Sequence, residues 1–257
     1  MSRFAHIPVL LYHGVCDVPL PGLRRWTLAP ATFDQHLAAI AASGRTPLTM
    51  SALADGLAGR ALLPESPVAI TFDDGFADTL TALDAVLERG LAATVYVQTG
   101  RVGREDWLSA RGLRAVAALG PRIEVGAHTI CHQRVDELSG AALEREVAGS
   151  RRALEEILGA PVAGFAYPHG AHDRRSRDAV VAAGYTHAAA VKNALSHPHD
   201  DPFAIARWTV EAGTTPARIA EVLAGEGVRV ATPGVRVATT AYRGLRRLRR
   251  RLAGGRA

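Results

Sequence analysis

The sequence predicts an α/β fold in which a largely parallel sheet closes into a distorted (β/α) barrel of about seven strands. Four short apolar runs each end in a polar or ionisable group: Val9 to His13, Val68 to Asp74, Ile123 to His128 and Val162 to Pro168. Near-continuous hydrophobic runs of this length suit strands buried on both faces. Further apolar runs alternate with helical patterns, the order that βα units produce. At 257 residues the chain is long enough for one such barrel and too short for two catalytic domains. In β/α barrels the chemistry collects at the carboxyl ends of the strands, so the four polar ends are expected on one rim.

Taken in order, Val9-Leu10-Leu11-Tyr12 forms the first strand, with His13 at its end and Gly14 letting the chain turn away. A Pro/Gly-rich loop from Pro19 to Pro30 leads into an amphipathic helix reaching Ala42, with Thr32 as N-cap and Gln35 completing a capping box. Strands are expected at Thr46 to Thr49, Ala92 to Gln98, Thr186 to Val191 and Ala204 to Val210, and a helix at Phe76 to Arg89. The clearest helix is Gly140 to Leu158, where Leu143, Val147, Leu154 and Leu158 recur at helical spacing, Ser139 serves as cap, and Gly159 with Pro161 ends it. Residues 1–227 are read as one domain and 228–257 as a basic tail. In the tail, Ala238, Ala241, Tyr242, Leu245, Leu248 and Leu252 form one helical stripe with arginines on the other faces. That pattern suits peripheral contact with an anionic membrane and equally a solvated terminal helix.

Composition excludes several classes. No uninterrupted apolar stretch reaches the roughly 18 residues that span a bilayer. The formal charge of +5 belongs to the tail: residues 228–257 hold nine arginines and no acid, which leaves −4 for the rest. A nucleic-acid-binding body would carry its own basic footprint, so no nucleic-acid partner is expected. The amino terminus shows no apolar h-region or small-residue cleavage site, so a cytoplasmic location, or one at the cytoplasmic membrane face, is expected. Cys16 and Cys131 could form one disulfide at most, and a chain of this size folds without one.

Asp73 and Asp74 are adjacent, so on a strand they point to opposite sides, and both serve one ligand only if the backbone bends, which Gly75 allows. Two carboxylates at a strand end can divide labour, one holding a metal and the other moving a proton. An Asp-Asp-Gly helix-capping turn is the plain alternative. His128 and His132 are four apart and would share one face if Thr129 begins a helical turn, the spacing used by two histidines on zinc. One Asp and two His from two strand ends make a set with open positions, which suits a catalytic metal site. His13 is a general acid or a satisfied surface histidine. Tyr167-Pro168-His169-Gly170 is an ordinary loop or a rigid turn aiming backbone N–H groups at an oxyanion. His169, His172, His197 and His199 are read as loop histidines. Trp208 and Tyr167 offer an aromatic surface on which a ligand ring could stack, with a core role for the indole equally open.

At these residues the chain resembles the polysaccharide deacetylase family, which shares the NodB homology domain and is classed with the family 4 carbohydrate esterases. The likeness runs from about residue 7 to about 212. Thr71-Phe72-Asp73-Asp74-Gly75 is similar to the family's first motif, His128-Thr129-Ile130-Cys131-His132 to its second, and Phe165 to Gly170 to its third. The resemblance implies a NodB-like barrel and one divalent ion, Zn²⁺, on Asp74, His128 and His132. It makes Asp73 the catalytic base, Tyr167 the backbone oxyanion donor, and Pro168 part of the groove. The arginine of the third motif would fall at Ala166, and Arg207 is the candidate replacement that orients Asp73. The late histidine that usually acts as acid has no counterpart after Trp208. The Leu-Tyr-His-Gly-Val start is similar to the permuted branch of poly-N-acetylglucosamine deacetylases, in which His13 would be the acid. The implied activity is removal of N-acetyl groups from an N-acetylated oligo- or polysaccharide. A silent glycan-binding or assembly barrel, and an esterase or amidase on another substrate, are the alternatives.

Overall fold

The computed structural model describes residues 6–232. The proposed tail helix from Ala238 to Leu252 lies outside the described residues. Seven parallel strands close a barrel: β1 (Val9–Tyr12), β5 (Pro67–Phe72), β6 (Ala93–Val97), β7 (Ile123–Ala127), β8 (Gly164–Ala166), β9 (His187–Val191) and β10 (Ile205–Thr209). Pairing runs from β1 through β10, β9, β8, β7 and β6 to β5, and β5 returns to β1 with Val9 beside Ala69 and Tyr12 beside Phe72. An eighth strand, β4 (Thr46–Leu48), pairs with Pro67 to Ala69, while β6 takes Ile70 to Phe72. Two short strands, β2 (Gly14–Val15) and β3 (Thr27–Leu28), fold the Pro/Gly-rich loop back beside the end of β1.

Helices α1 (Pro30–Ala42), α3 (Thr79–Glu88), α4 (Ala110–Ala118), α5 (Gly140–Leu158), α6 (Arg174–Ala182) and α7 (Pro216–Ala224) flank the barrel, and α2 (Met50–Leu57) sends Met50, Leu53 and Ala54 into its interior. None of the described helices is long and apolar enough to cross a membrane. Strand alternation sorts the side chains into two layers. Val9, Ala69, Tyr96, Ala166, Ala189 and Ile205 face inward, whereas Leu10, Tyr12, Ile70, Phe72, Phe165 and Tyr167 pack outward among the helices. Tyr96 fills the middle of the barrel because Gly126 opposes it: a Cβ there would stand 2.6 Å from the ring.

Two caps differ from expectation. α1 begins at Pro30 with Ala29 as N-cap and no side-chain cap, so Thr32 and Gln35 form no capping box. Proline supplies the start instead, since its missing N–H is one that a first helical turn leaves unpaired. Ser139 is the N-cap of α5 but makes no capping hydrogen bond, while Gly159 ends that helix in the left-handed conformation at φ 66°.

Candidate active site

Strand parity points Asp73 and Arg207 into the carboxyl end of the barrel, since Ala69 and Thr71 precede Asp73, and Ile205 precedes Arg207, on the same face. Asp73 extends the ladder, its N–H donating to Tyr12 O at 3.0 Å. The chain then turns through two consecutive left-handed residues, Asp74 at φ 75° and Gly75 at φ 78°. The bend therefore includes Asp74 itself, and it brings this carboxylate to the same opening as Asp73.

Arg207 is fully buried and grips Asp73 with two parallel bonds, Nη1 to Oδ1 at 2.6 Å and Nη2 to Oδ2 at 2.8 Å. Nη1 also reaches Thr71 Oγ1 at 3.2 Å, and the guanidinium lies 5.4 Å from the Tyr96 ring centroid. Burial pushes the Asp73 carboxyl up, but the Arg207 guanidinium, by its charge and its hydrogen bonds, outweighs it and holds it at about 2. Asp73 is thus ionised at neutral pH. Asp74 goes the other way: burial, with the neighbouring Asp73 charge, pushes it up to about 6.

His128 follows β7, and its Nδ1 donates to Ala166 O at 2.8 Å. That bond leaves the lone pair on Nε2, which faces Asp73 Oδ2 at 3.7 Å and Asp74 Oδ1 at 3.8 Å. Burial holds the ring neutral, at about 3. His132 presents Nε2 3.5 Å from Asp74 Oδ1. The two histidines do not share a helical turn. Thr129 and His132 are both left-handed, at φ 65° and 56°, and Thr129 Oγ1 accepts from His132 N–H at 2.9 Å in a tight loop. Glu146 of α5 secures that loop by accepting the N–H groups of Ile130 and Cys131, both at 2.9 Å.

Asp74, His128 and His132 bring their ligand atoms within 4.8 Å of one another. The donor set fits a divalent ion: two neutral imidazoles, one of them with its far nitrogen fixed on a carbonyl, and one carboxylate that burial discourages from ionising alone.

His13 completes the opening. Its ring packs against Trp26 with centroids 5.6 Å apart, and its Nδ1 is buried without a hydrogen-bond partner among the described residues. Burial lowers its basicity, while the Asp73 and Asp74 charges raise it.

Three expected substrate residues, Tyr167, Pro168 and Trp208, are corrected. Tyr167 N–H donates to Ala189 O at 3.0 Å within the sheet, so it is committed to the ladder and cannot hold an oxyanion. The Tyr167 ring is buried, stacks on His172 at 4.7 Å and donates its hydroxyl to Phe203 O at 3.1 Å, which removes it from the groove; Pro168 is buried with it. Trp208 neighbours Arg207, so parity turns it outward, where it packs on the outer layer with Arg218 5.9 Å from its centroid. The aromatic at the site is Trp26, brought there by the β2–β3 pair.

His169 lies in a loop, as expected. It sits at φ 57° between Pro168 and Gly170, exposed, with its ring 4.6 Å from that of His132. A left-handed residue before a glycine is the local signal for such a turn.

Residues 62–188 match the family model described as polysaccharide deacetylase, a span that holds Asp73, Asp74, His128, His132 and His169. A Bacillus subtilis (strain 168) protein, YxkH, assigned by name to the polysaccharide deacetylases, is 26% identical over 182 residues, which cover 70% of this chain and 63% of that protein. Among solved structures, Streptococcus pyogenes deacetylase PplD in complex with acetate superposes with TM-score 0.76 at 20% identity, over 85% of this chain and 98% of that one. The polysaccharide deacetylase BC0361 from Bacillus cereus gives 0.74 at 25%, over 85% and 69%, and IcaB from Ammonifex degensii gives 0.72 at 24%, over 86% and 97%. The family match over residues 62–188, on a barrel that presents these motifs on one rim, identifies a polysaccharide deacetylase domain in this chain.

Proposed function

We propose that this protein is a metal-dependent hydrolase that removes N-acetyl groups from an N-acetylhexosamine-containing glycan and releases acetate. One observation carries the reading: the Asp74, His128 and His132 donor set opens beside a carboxylate, Asp73, that Arg207 clamps in place. A divalent ion on that set, zinc by its two imidazoles and one carboxylate, would polarise the acetyl carbonyl and acidify water.

The chain's own residues supply the rest. Asp73, ionised and held at both oxygens, is placed to take the proton of the attacking water. A carboxylate near pKa 2 is a weak base, so its value lies in position and in charge. His13 stands on the far side of the carboxylates from the metal-binding loop in sequence, at the end of β1, and would deliver a proton to the departing sugar amine. Its contact with Trp26 fixes the ring, and burial, only partly offset by the acidic pair, holds its pKa below the ordinary imidazole value, so a proton once taken up is readily given to the leaving amine. The indole of Trp26, half-buried beside Arg25, is the surface on which a sugar ring would stack.

The test compares metal-loaded protein on N-acetylglucosamine oligomers and on acetylated xylan, with acetate as the readout. Acetate from the amide substrate and not from the ester is expected. Ester cleavage alone would overturn the reaction class.

A further inference from the structure

The rim also carries a cation that no carboxylate answers. Arg101 closes a 3₁₀ turn, Thr99–Arg101, just past β6. This turn is bonded to both segments that bear the metal-ligand set. Thr99 and Gly100 donate their N–H groups to the carbonyls of Thr129 and Ile130 at 3.0 and 2.9 Å, and Leu108, at the end of the same loop, donates to Gly75 O at 3.0 Å. Glycine is required at position 100, where a Cβ would stand 2.5 Å from Ile130 O. The loop is therefore wedged between the turn after Asp74 and the loop that ends at His132.

Arg101 lies over the indole of Trp107, 4.9 Å from its centroid, and Trp107 packs on Phe76 at 5.5 Å. Stacking occupies a flat face of the guanidinium and leaves its N–H edges for a planar acceptor. Two other arginines near the rim are spent: Arg25 is bidentate to Glu211 at 3.0 and 2.7 Å, and Arg207 to Asp73. Among the described residues, no carboxylate lies within 4.0 Å of a side-chain nitrogen of Arg101 or of the exposed Arg104, whose N–H donates to Arg101 O at 2.9 Å. An opening lined by Asp73 and Asp74 would otherwise repel an acidic ligand, and a pre-oriented cation beside it reverses that bias.

We propose that Arg101, with Arg104 on the same turn, forms a subsite for the carboxylate of a sugar flanking the acetylated unit. The favoured substrate is then an acidic glycan in which N-acetylhexosamine neighbours a uronic acid. The scissile unit rests on the de-N-acetylase reading above, whereas the carboxylate contact rests on the Arg101 turn alone.

The test uses hyaluronan oligosaccharides and the same oligomers with every carboxyl reduced to an alcohol. Affinities are measured by calorimetry on the full, zinc-loaded chain carrying Asp73→Asn, so that turnover does not consume the ligand. The acidic oligomer is expected to bind about tenfold more tightly, the effect of one good charge-assisted pair. Arg101→Gln should bring the ratio to about one at unchanged zinc stoichiometry, and Arg101→Lys should keep part of it, since charge stays but the fork is lost. Equal affinities before any change at Arg101, or a tenfold ratio that survives Arg101→Gln, would overturn the subsite. Acetate release from neutral N-acetylglucosamine oligomers by the unmutated protein tests the reaction separately: no acetate with an intact tenfold ratio sinks the reaction and keeps the subsite.

Discussion

At the amino-terminal mouth of the barrel, Glu124 accepts from Ser51 N–H at 2.9 Å, Ser51 Oγ at 2.6 Å and Thr94 Oγ1 at 3.1 Å, while Arg45 donates to the carbonyls of Pro67 and Leu223. At the carboxyl-terminal mouth, Asp73 is clamped by Arg207, but Asp74 Oδ1 stands 3.8 Å from His128 Nε2 and 3.5 Å from His132 Nε2, beyond good hydrogen-bonding range. Both mouths bury polar groups, at a desolvation cost that is tolerable only when partners repay it. The first set repays it with backbone groups of the elements it joins, starting α2 and tying β5 to the end of α7. The second set leaves its lone pairs converging on a point that an external cation would occupy. Similar burial thus serves architecture at one end and chemistry at the other, and the distinction lies in where the unspent bonding capacity points.

The comparison breaks most visibly at Asp73. Asp73→Asn should lower acetate release by about 10³-fold or more while zinc stoichiometry stays at one, read by acetate assay and metal analysis. Arg207→Met leaves the Asp73 charge buried and uncompensated, and should cost about 3–5 kcal/mol in urea unfolding as well as activity. At the other mouth, Arg45→Met should cost about 2–3 kcal/mol by removing its hydrogen bonds to two carbonyls, with kcat unchanged. A loss of kcat in that variant would erase the division between the two ends.

A smaller effect sharpens it. His187, fully buried 3.8 Å from Glu124, has its pKa lowered chiefly by burial, so it is neutral when folded and takes a proton more readily when unfolded. The unfolded state then binds more protons below about pH 6.5, and stability falls as pH falls from there until the folded-state pKa is reached. Urea unfolding of His187→Gln across pH 4–7 should show a slope shallower by up to about 1.4 kcal/mol per pH unit. An unchanged slope would show that His187 is not held neutral.

The barrel was legible because strands buried on both faces are largely apolar, and each of the four strands ends just before the group that closes its run, His13, Asp73, His128 and Tyr167. Arg207 was reachable only through the family resemblance, as an arginine near the end of a late apolar run that could replace the one missing at Ala166. Orientation was harder. Tyr167 and Trp208 lie beside site residues in sequence, but a strand has a period of two, and one step along it moves a side chain from the interior to the helix layer. The geometry of His132 and His169 depends on left-handed backbone at non-glycine residues, which spacing alone does not disclose. Trp26 reaches His13 only through a two-residue strand pair in a loop that carries no periodic pattern.

The central claim is that Asp74, His128 and His132 form a metal centre on which hydrolysis depends. It is tested most directly by stripping the protein with a chelator and titrating zinc back while acetate release from N-acetylglucosamine oligomers is followed. Activity should rise from baseline to a plateau at one equivalent, and Asp74→Asn should stay near baseline over the same range. Full activity in the stripped protein, or a wild-type titration curve from Asp74→Asn, would contradict the account.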